Sequence, residues 1–293
     1  MNSTERHLDQ ADVLRLALPK GRMKEGVFRL LAEAGVRIEA GARGYRPQLS
    51  WWGLEAKLLK PQNAIEMIAA GTRDVGFAGA DWVAELDADV VELLDTGLNP
   101  VSLVAAVPAS AVQGWQQSVR SVASEYQRLT RQWMREQGME GRFVRSYGAT
   151  EVFPPEDADC IVDNTATGAT LRANDLVTVD ELMSSSTRLV ANPRVLDQPE
   201  KRQRIEDLVL LLRSVLQARE RVMVEVNVSP ECMPAVLSCL PCMREPTVSQ
   251  LAQGAGFALK VAAPRSSLPT VIPAIKAAGG SDIVVTAISQ LVA

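Results

Sequence analysis

The sequence has 293 residues, of which 47% are hydrophobic and 23% charged, with a formal net charge of −4. It is long enough for two or three cores, because single domains centre near roughly 100–150 residues. The acidic balance offers no basic surface for nucleic acid, and no apolar run approaches the roughly 18–20 residues of a membrane span. Residues 1–12 are polar and lack the apolar core of a signal peptide. We therefore predict a cytoplasmic protein with a disordered leader over residues 1–12 that binds neither nucleic acid nor membrane.

Histidine and cysteine chemistry is nearly excluded by the composition. The single histidine, His7, lies in the predicted leader, so a serine or cysteine nucleophile would lack a histidine base. Cys239 and Cys242 form a C-x-x-C without a second pair, which favours small buried or half-buried thiols over a zinc site. The remaining groups are carboxylates, Lys, Arg, hydroxyls, backbone dipoles and a loosely held Mg²⁺, a set that suits phosphate and nucleotide substrates.

Short apolar strands alternate with helical patterns along most of the chain. The pattern predicts strands over 14–18, 55–59, 75–78, 103–107, 143–145 and 189–192, and one that ends at Val162. Between them it predicts helices over 24–34, 61–70, 82–86 with Asp81 as its cap, 124–137 and 202–219. This alternation predicts an α/β fold made of parallel βαβ units.

The pattern changes after Arg221. Strands are predicted over 222–228, 258–263 and 282–288, with helices over 230–240 and 268–278. The order is strand, helix, loop or strand, strand, helix, strand, which is close to a ferredoxin-like module of about 70 residues. Small appended modules of this kind are often regulatory, although fold alone does not decide this.

The stretch Cys160–Leu171, CIVDNTATGATL, carries the most specific chemical signal. A buried strand ends in Asp163 and Asn164 and opens into a loop rich in Gly and Thr. Backbone N–H groups and threonine hydroxyls in such a loop can converge on phosphate oxygens, while the Asp and Asn side chains can bind ribose hydroxyls. The alternative is a polar strand-to-helix turn with Thr170 as N-cap. Taken alone, the stretch leaves both interpretations open.

Four further junctions between a strand and the next element carry charged or small residues. They are Lys20-Gly21-Arg22, Lys60 with residues 61–63, residues 76–82, and Asp95 with residues 96–97. Each could be a tight turn with solvated charges. Because ligands bind at the carboxyl ends of strands in open α/β sheets, the recurrence of this pattern favours a ligand site.

Collinear segments over almost the whole chain resemble the long form of the ATP phosphoribosyltransferase family, the first enzymes of histidine biosynthesis. These are LALPKGRM, LLKPQNAIEMIAAGTRDVGFAGADWVAEL, ELLDTGL, CIVDNTATGATLRANDLV, and the tail from EPTVSQL through APRS to KAAGGSDIVV. The resemblance implies an α/β fold with a bilobal, periplasmic-binding-protein-like catalytic core plus a C-terminal ferredoxin-like (ACT-like) regulatory domain. Lobe I would span 13–105 with 190–215, lobe II 106–189, and the regulatory domain 220–293.

The resemblance also implies a reaction and its site. N1 of ATP attacks C1 of phosphoribosyl pyrophosphate, and pyrophosphate leaves with Mg²⁺ that is held by substrate oxygens and water without fixed protein ligands. The implied catalytic residues are Lys20, Arg22 and Asp163. The implied substrate-binding residues are Gly21, Lys60, Asp95, Asn164, Thr165, Thr167, Gly168, Ala169, Thr170 and Leu171. Histidine as feedback inhibitor would contact Asn227, Thr247, Ser249 and Leu251.

Several positions depart from the family pattern. Lys60 and Asn63 stand where the family usually has Arg and Asp, Glu156 where it has a glycine before the phosphate loop, and Asn164 where it has an aliphatic residue. Family membership further implies a homo-oligomer, either a dimer or a hexamer. The alternative function is a non-catalytic nucleotide or small-molecule sensor of bilobal binding-protein fold, against which the intact glycine and threonine loop counts.

Overall fold

A computed structural model of the chain describes residues 13–39, 44–51, 53–241 and 245–292. The chain divides into two compact units, one ending at Val209 and one that comprises Glu33–Gly35 and Leu210 onwards. The predicted leader and Cys242 lie outside the described residues. In the ranges that the structure describes, no helix is long and apolar enough to cross a membrane.

The elements up to the long helix that ends at Arg219 match most of the predicted strands and helices to within a few residues. In chain order they are β1 (Leu14–Pro19), α1 (Met23–Glu33), β2 (Ile38–Glu39), β3 (Gln48–Leu49), β4 (Leu54–Leu59), α2 (Pro61–Ala69), β5 (Val75–Gly79), α3 (Ala80–Leu86), β6 (Val91–Pro108), α4 (Trp115–Ser118), β7 (Ser121–Ser124), α5 (Gln127–Glu136), β8 (Arg142–Arg145), β9 (Cys160–Thr165), α6 (Ala169–Ala173), β10 (Leu176–Ala191) and α7 (Pro199–Arg219). Single 3-10 turns cover Ala109–Ala111, Thr150–Val152 and Pro193–Asp197.

Eight strands of the first unit form one sheet in the order β4-β1-β5-β10-β6-β9-β7-β8. The three strands at each end pair in parallel, with β1 between β4 and β5, and β7 between β8 and β9. The central strands β6 and β10 run antiparallel to each other and to their neighbours. Each parallel group is one lobe of a bilobal core, so the predicted two-lobed fold is confirmed.

The prediction of purely parallel pairing is wrong for β6 and β10. The sequence analysis predicted only 103–107 and 189–192 from these strands, whereas β6 has 18 residues and β10 has 16. Gly97 and Asn99 of β6 adopt left-handed backbone angles, with φ of 63° and 50°, and Pro100 follows them. These residues are typical of turns, so the sequence interrupts a strand that in the fold continues through an irregularity.

Two predictions at helix starts are also wrong. Gly79, rather than Asp81, occupies the N-cap position of α3. Gly168 occupies that of α6, which rules out the alternative with Thr170 as N-cap. The Asp81 side chain is instead turned inward and buried. The predicted helix over 124–137 begins at Gln127, because Ser121–Ser124 form β7 inside the second lobe.

Both faces of β1 and β5 in the first lobe are covered, which explains their nearly continuous apolar sequence. In β1, for example, Leu14, Leu16 and Leu18 are fully buried together with the intervening Ala17. A Cβ on Gly76 of β5 would lie 2.6 Å from Cβ of Ala17. Glycine is therefore required where β1 and β5 approach each other most closely.

An ion cluster around the buried Asp74 stabilises the first lobe. Asp74 is 3% exposed and accepts hydrogen bonds from the guanidinium of Arg15 at 2.6 and 3.1 Å and from the Arg15 backbone N–H at 2.7 Å. The buried ammonium of Lys201, at the start of α7, lies 3.3 Å from the same carboxylate. The cluster thus connects β1, the start of β5 and α7.

The second unit is a four-stranded sheet with two helices after the end of α7. Its elements are β11 (Arg221–Val228), α8 (Met233–Cys239), β12 (Thr247–Gln250), β13 (Phe257–Pro264), α9 (Leu268–Ala277) and β14 (Ser281–Ala287), with 3-10 turns at Ala252–Gly254 and Arg265–Ser267. The sheet order is β12-β13-β11-β14, and all pairs are antiparallel. This is the predicted ferredoxin-like topology. β12 is the element that the sequence predicted as either a loop or a strand. Alternate valines of β11 (Val222, Val224, Val226 and Val228) supply its core.

Candidate active site

A cleft of about 500 Å³ opens in the first unit where the carboxyl ends of strands from both lobes meet. One side follows the ends of β1, β4 and β5, and the other the ends of β7, β8 and β9, while β6 and β10 contribute residues between them. Its lining includes Lys20, Gly21, Arg22, Lys60, Gln62, Asp81, Trp82, Asn99, Glu125, Tyr147, Asn164 and Ser185. Apart from the one at Asp95, the strand ends that the sequence marked out separately are therefore brought together here.

The turn after β1 presents two cations to the cleft. Gly21 has φ of 70°, and its carbonyl accepts from the Lys24 backbone N–H at 3.1 Å, which starts α1 directly after the turn. The Lys20 ammonium lies 3.5 Å from the centroid of the Tyr45 ring. Arg22 is exposed and extends towards the second lobe.

The loop after β9 forms a second cavity of about 280 Å³. It is lined by Arg22, Glu151, Asp163, Asn164, Thr165, Ala166, Thr167, Ala169, Thr170 and Leu171. Gly168 has φ of 70°, and its N–H donates to Thr165 Oγ1 at 3.0 Å. The Arg172 guanidinium donates to the Thr167 carbonyl at 3.0 Å and holds the loop in a closed curve.

Arg22 and Asn164 belong to both cavities. Arg22 Nη2 of the first lobe donates to Asn164 Oδ1 of the second lobe at 3.0 Å. The larger cleft and the loop cavity therefore meet at one hydrogen bond between a cation and an amide. A ligand that occupied both cavities would have to pass this point.

Asp163, beside the loop, is a weaker acid than an ordinary aspartate side chain. Burial, reinforced by the negative charges of Glu151 and Glu125, raises its pKa to about 6. The backbone N–H of Asn164, which donates to Asp163 Oδ1 at 2.7 Å, and the charge of Arg22 act in the opposite direction without cancelling the rise. The group is thus a carboxylate at neutral pH that would gain from a nearby positive charge.

We expect Asp163→Asn to stabilise the ligand-free protein in a pH-dependent manner. Because the folded-state pKa is raised above the usual value near 3.9, the contribution of Asp163 to stability is full at low pH and is lost as pH rises through about 6. The variant should exceed the wild type in free energy of unfolding by about 1–3 kcal/mol at pH 8 and by little at pH 4. Urea denaturation across this range measures the difference, with the exposed Asp157→Asn as control. Parallel pH curves for wild type and variant would contradict the assignment.

Comparison with known proteins relates this chain to one family. Residues 60–214 match the family model described as ATP phosphoribosyltransferase, and residues 218–290 match the one described as HisG, C-terminal domain. Relatives named ATP phosphoribosyltransferase from Pelodictyon phaeoclathratiforme and Pelotomaculum thermopropionicum are each 36% identical, covering 96% and 92% of this chain and 98% and 96% of theirs.

The chain belongs to the ATP phosphoribosyltransferase family. The predicted membership is thereby confirmed, and with it the class of pentosyltransferases that begin histidine biosynthesis. A solved structure of the ATP phosphoribosyl transferase (HisG:HisZ) complex from Thermotoga maritima has a TM-score of 0.62 and 26% identity, covering 70% of this chain and 99% of that one.

Two positions that depart from the usual ATP phosphoribosyltransferase pattern lie at the start of α2, and one of them lines the cleft. Lys60 occupies the N-cap position of α2 and lines the cleft with an exposed side chain. Asn63 does not line it, and its amide donates to Glu66 Oε2 at 3.3 Å. At Lys60 the fork of an arginine is thus replaced by the single point charge of an ammonium group.

Asp95, a predicted substrate-binding residue, is not among the residues that line the two cavities. Its carboxylate accepts from Ser186 Oγ at 2.6 Å and from the Gly97 backbone N–H at 2.8 Å, and it pairs with Arg188 at 3.0 Å. Burial would raise its pKa, but these hydrogen bonds and the charge of Arg188 outweigh burial and lower it. The structure therefore shows this carboxylate already engaged by partners of β6 and β10.

The residues predicted to bind histidine lie on two strands of the second unit. Asn227 of β11 and Ser249 of β12 both pair with Ala258 of the intervening β13, so they lie on one face of the sheet, roughly 10 Å apart. Thr247 lies on that same face, because it is two residues before Ser249 on β12. The Asn227 amide donates to Asp282 Oδ2 at 3.1 Å, and Leu251 follows the end of β12.

Three buried residues at the cleft, two of which line it, were not predicted from the sequence. Tyr126, Asp81 and Ser185 are connected by hydrogen bonds that reach Asn164. Asp81 was interpreted as a helix cap and Tyr126 as part of a helix, and the serines of β10 were not assigned to any strand. The usable signal was the acidic residue immediately after a buried strand, but the tyrosine that contacts it is 45 residues away.

Proposed function

We propose that the cleft and the loop cavity together bind ATP and phosphoribosyl pyrophosphate and join them. The N1 lone pair of adenine forms a bond to C1 of the ribose, and the bond from C1 to the pyrophosphate oxygen breaks, with pyrophosphate leaving with the electron pair. The observation that carries this proposal is the shared boundary at Arg22 and Asn164, because the reacting atoms must lie where the two substrate sites meet.

The loop cavity fits the ribose phosphate. Its backbone N–H groups and the exposed hydroxyls of Thr167 and Thr170 suit the 5′-phosphate, and Asp163 suits the ribose hydroxyls and the positive charge that develops at C1. Lys20 and Arg22, on the opposite side of the junction, suit the departing pyrophosphate.

The larger cleft fits the nucleotide. Trp82 and Tyr147 give it aromatic surface, and Lys20 and Lys60 give it charge for a triphosphate. N1 of adenine carries no proton, so the reaction needs no general base. The rate enhancement then comes from orienting N1 against C1 and from stabilising the leaving group.

The carboxylates beside the junction fit a hydrated Mg²⁺. Glu125, Glu151 and Asp163 are close enough for the first two to raise the pKa of the third. Within the described ranges, no three His, Cys, Asp or Glu residues are close enough to hold a metal ion directly. We therefore infer that Mg²⁺ would be held through pyrophosphate oxygens and water, with these carboxylates in outer positions, and would neutralise charge on the leaving group.

We further propose that residues 220–293 form a regulatory domain that binds histidine as feedback inhibitor. Asn227, Thr247 and Ser249 share one face of its sheet and could contact the ammonium and carboxylate groups of an amino acid, with Leu251 beside them. The catalytic lobes would comprise 13–105 with 190–215, and 106–189. We also propose assembly into a homo-oligomer, a dimer or a hexamer, from family membership.

One assay tests these proposals together. The full chain is incubated with ATP, phosphoribosyl pyrophosphate and Mg²⁺, and formation of phosphoribosyl-ATP is followed by absorbance with and without millimolar histidine. We expect product that requires Mg²⁺ and decreases when histidine is added. Binding of both substrates without product would favour the non-catalytic sensor, and full activity in histidine would contradict the regulatory assignment.

Thr170→Val should weaken phosphoribosyl pyrophosphate binding without unfolding the protein. Thr170 is exposed in the loop cavity, so the change removes one hydroxyl from the phosphate site and no buried contact. We expect KM for this substrate to rise about 10–150-fold, as for one lost hydrogen bond to a charged group, with KM for ATP little changed. The matched control is Thr178→Val, at an exposed position on β10 outside both cavities. Unchanged kinetics for Thr170→Val would reject its role.

A further inference from the structure

A chain of hydrogen bonds runs from Arg22 into the interior of the first unit. Arg22 Nη2 donates to Asn164 Oδ1 at 3.0 Å, and Asn164 Nδ2 donates to the Tyr126 hydroxyl oxygen at 2.8 Å. The Tyr126 hydroxyl donates to Asp81 Oδ2 at 2.6 Å, and Ser185 Oγ donates to Asp81 Oδ1 at 2.8 Å. These hydrogen bonds cross between the lobes twice, because Arg22 and Asp81 belong to the first lobe and the intervening Asn164 and Tyr126 to the second.

The interior part of this chain is held rigidly. Tyr126 is fully buried, and its ring stacks on Trp82 with centroids 4.5 Å apart. Asp81 is 4% exposed, and no Lys or Arg in the described part of the chain pairs with it. Gly79 leaves the space that the Asp81 carboxylate occupies, since a Cβ at this position would overlap Asp81 Oδ1. A fixed carboxylate thus anchors one end of the chain.

The direction of the bonds requires a side chain at position 164 that both accepts and donates a hydrogen bond, as an amide does. Burial, and then the charge and hydrogen bond of Asp81, raise the pKa of Tyr126, so the hydroxyl keeps its proton and donates it to Asp81. The Tyr126 oxygen can then only accept, while Arg22 can only donate. Asn164 must therefore accept from Arg22 and donate to Tyr126. An aliphatic residue, usual at this position in the family, could do neither.

We infer that Asn164 is a positioning residue that aims Arg22 at the leaving pyrophosphate by tying it to the buried Tyr126 and Asp81. Both polar atoms of its side chain are engaged by protein partners, which leaves Arg22 free to present its remaining N–H groups to an anion at the junction of the two cavities. This inference rests on the proposed function for the identity of the anion.

Inorganic pyrophosphate with Mg²⁺ is a suitable probe, and its affinity for the full chain is measured by calorimetry. Tyr126 does not line either cavity, so Tyr126→Phe removes one hydroxyl without touching the ligand. We expect Tyr126→Phe and Asn164→Leu each to weaken pyrophosphate binding about tenfold. The double variant should also lose no more than about tenfold, because both changes break the same series of hydrogen bonds. Ser146→Ala, which removes another buried hydroxyl bond of the second lobe, is the control and should bind like the wild type.

Wild-type affinity in Tyr126→Phe, additive losses in the double variant, or no pyrophosphate binding by the wild type would each overturn the inference. If Tyr126→Phe does not fold, the test uses Asn164→Leu, at the partly exposed end of the hydrogen-bond series. Wild-type pyrophosphate affinity in that variant would equally overturn the inference. Turnover is measured on the same samples. If the variants lose pyrophosphate affinity as expected but the wild type shows no turnover, the proposed function is contradicted. The positioning role of Asn164 remains supported in that case.

Discussion

Arg22→Met is expected to lower kcat/KM by about two to three orders of magnitude, the loss seen when one donor to developing negative charge is removed. Arg22 is exposed, borders both cavities, and its guanidinium contacts Asn164. Its removal should therefore cost little stability, because no buried group of the core loses a partner. Steady-state kinetics with both substrates, together with thermal unfolding, separates the two effects.

The matched control for this prediction is Arg29→Met. Arg29 is exposed on α1 and lines neither cavity, so Arg29→Met makes the same change of charge seven residues away, outside the site. Its kcat/KM should stay within about twofold of wild type. Equal effects of the two changes would mean that Arg22 acts only through net charge, and near-normal kinetics of Arg22→Met would remove it from the site.

Asp74→Asn is expected to lower the free energy of unfolding by about 3–5 kcal/mol, because it leaves the buried Lys201 and the half-buried Arg15 without their carboxylate. Arg15 loses a two-pronged ion pair, and the ammonium of Lys201 remains buried. Urea denaturation at pH 7 measures the loss, and the exposed Asp157→Asn should lie within about 0.5 kcal/mol of wild type.

The pH dependence gives this prediction a second test. Burial alone would raise the pKa of Asp74, but the hydrogen bonds from Arg15 and the charge of Lys201 outweigh it and lower the pKa. A carboxyl with a lowered folded-state pKa contributes stability above its unfolded pKa and loses it as pH falls through the folded pKa. The gap between wild type and Asp74→Asn should therefore narrow below about pH 4. A gap that widened in acid would contradict the ion cluster.

The lobes were predictable from sequence because their strands and helices are short and locally marked. β5 is a continuous apolar run, β1 is one interrupted only by Arg15, and α2 begins at Pro61, so sequence pattern and helix-start residues define these elements. The long pair β6 and β10 was not predictable in the same way. Turn-forming residues inside β6 and the polar start of β10 resemble loops, and only pairing along their length makes them strands.

Some residues of the candidate site were likewise predictable from local sequence, and others were not. Lys20, Arg22 and the loop after Asp163 follow strand ends directly, so position in the sequence indicates position at the sheet edge. The role of Asp81 depends on Tyr126 and Ser185, which come from a different lobe and from a strand that was not predicted. Local pattern indicates a helix cap at Asp81, and only tertiary contacts show a buried carboxylate.

A crystal structure of the full chain with phosphoribosyl pyrophosphate and Mg²⁺ tests the central claim most directly. We predict that the 5′-phosphate lies on the backbone N–H groups of residues 167–171, that the ribose hydroxyls lie beside Asp163, and that the pyrophosphate lies within hydrogen-bond reach of Arg22. A phosphate bound elsewhere in the cleft, with the loop after Asp163 empty, would contradict the account.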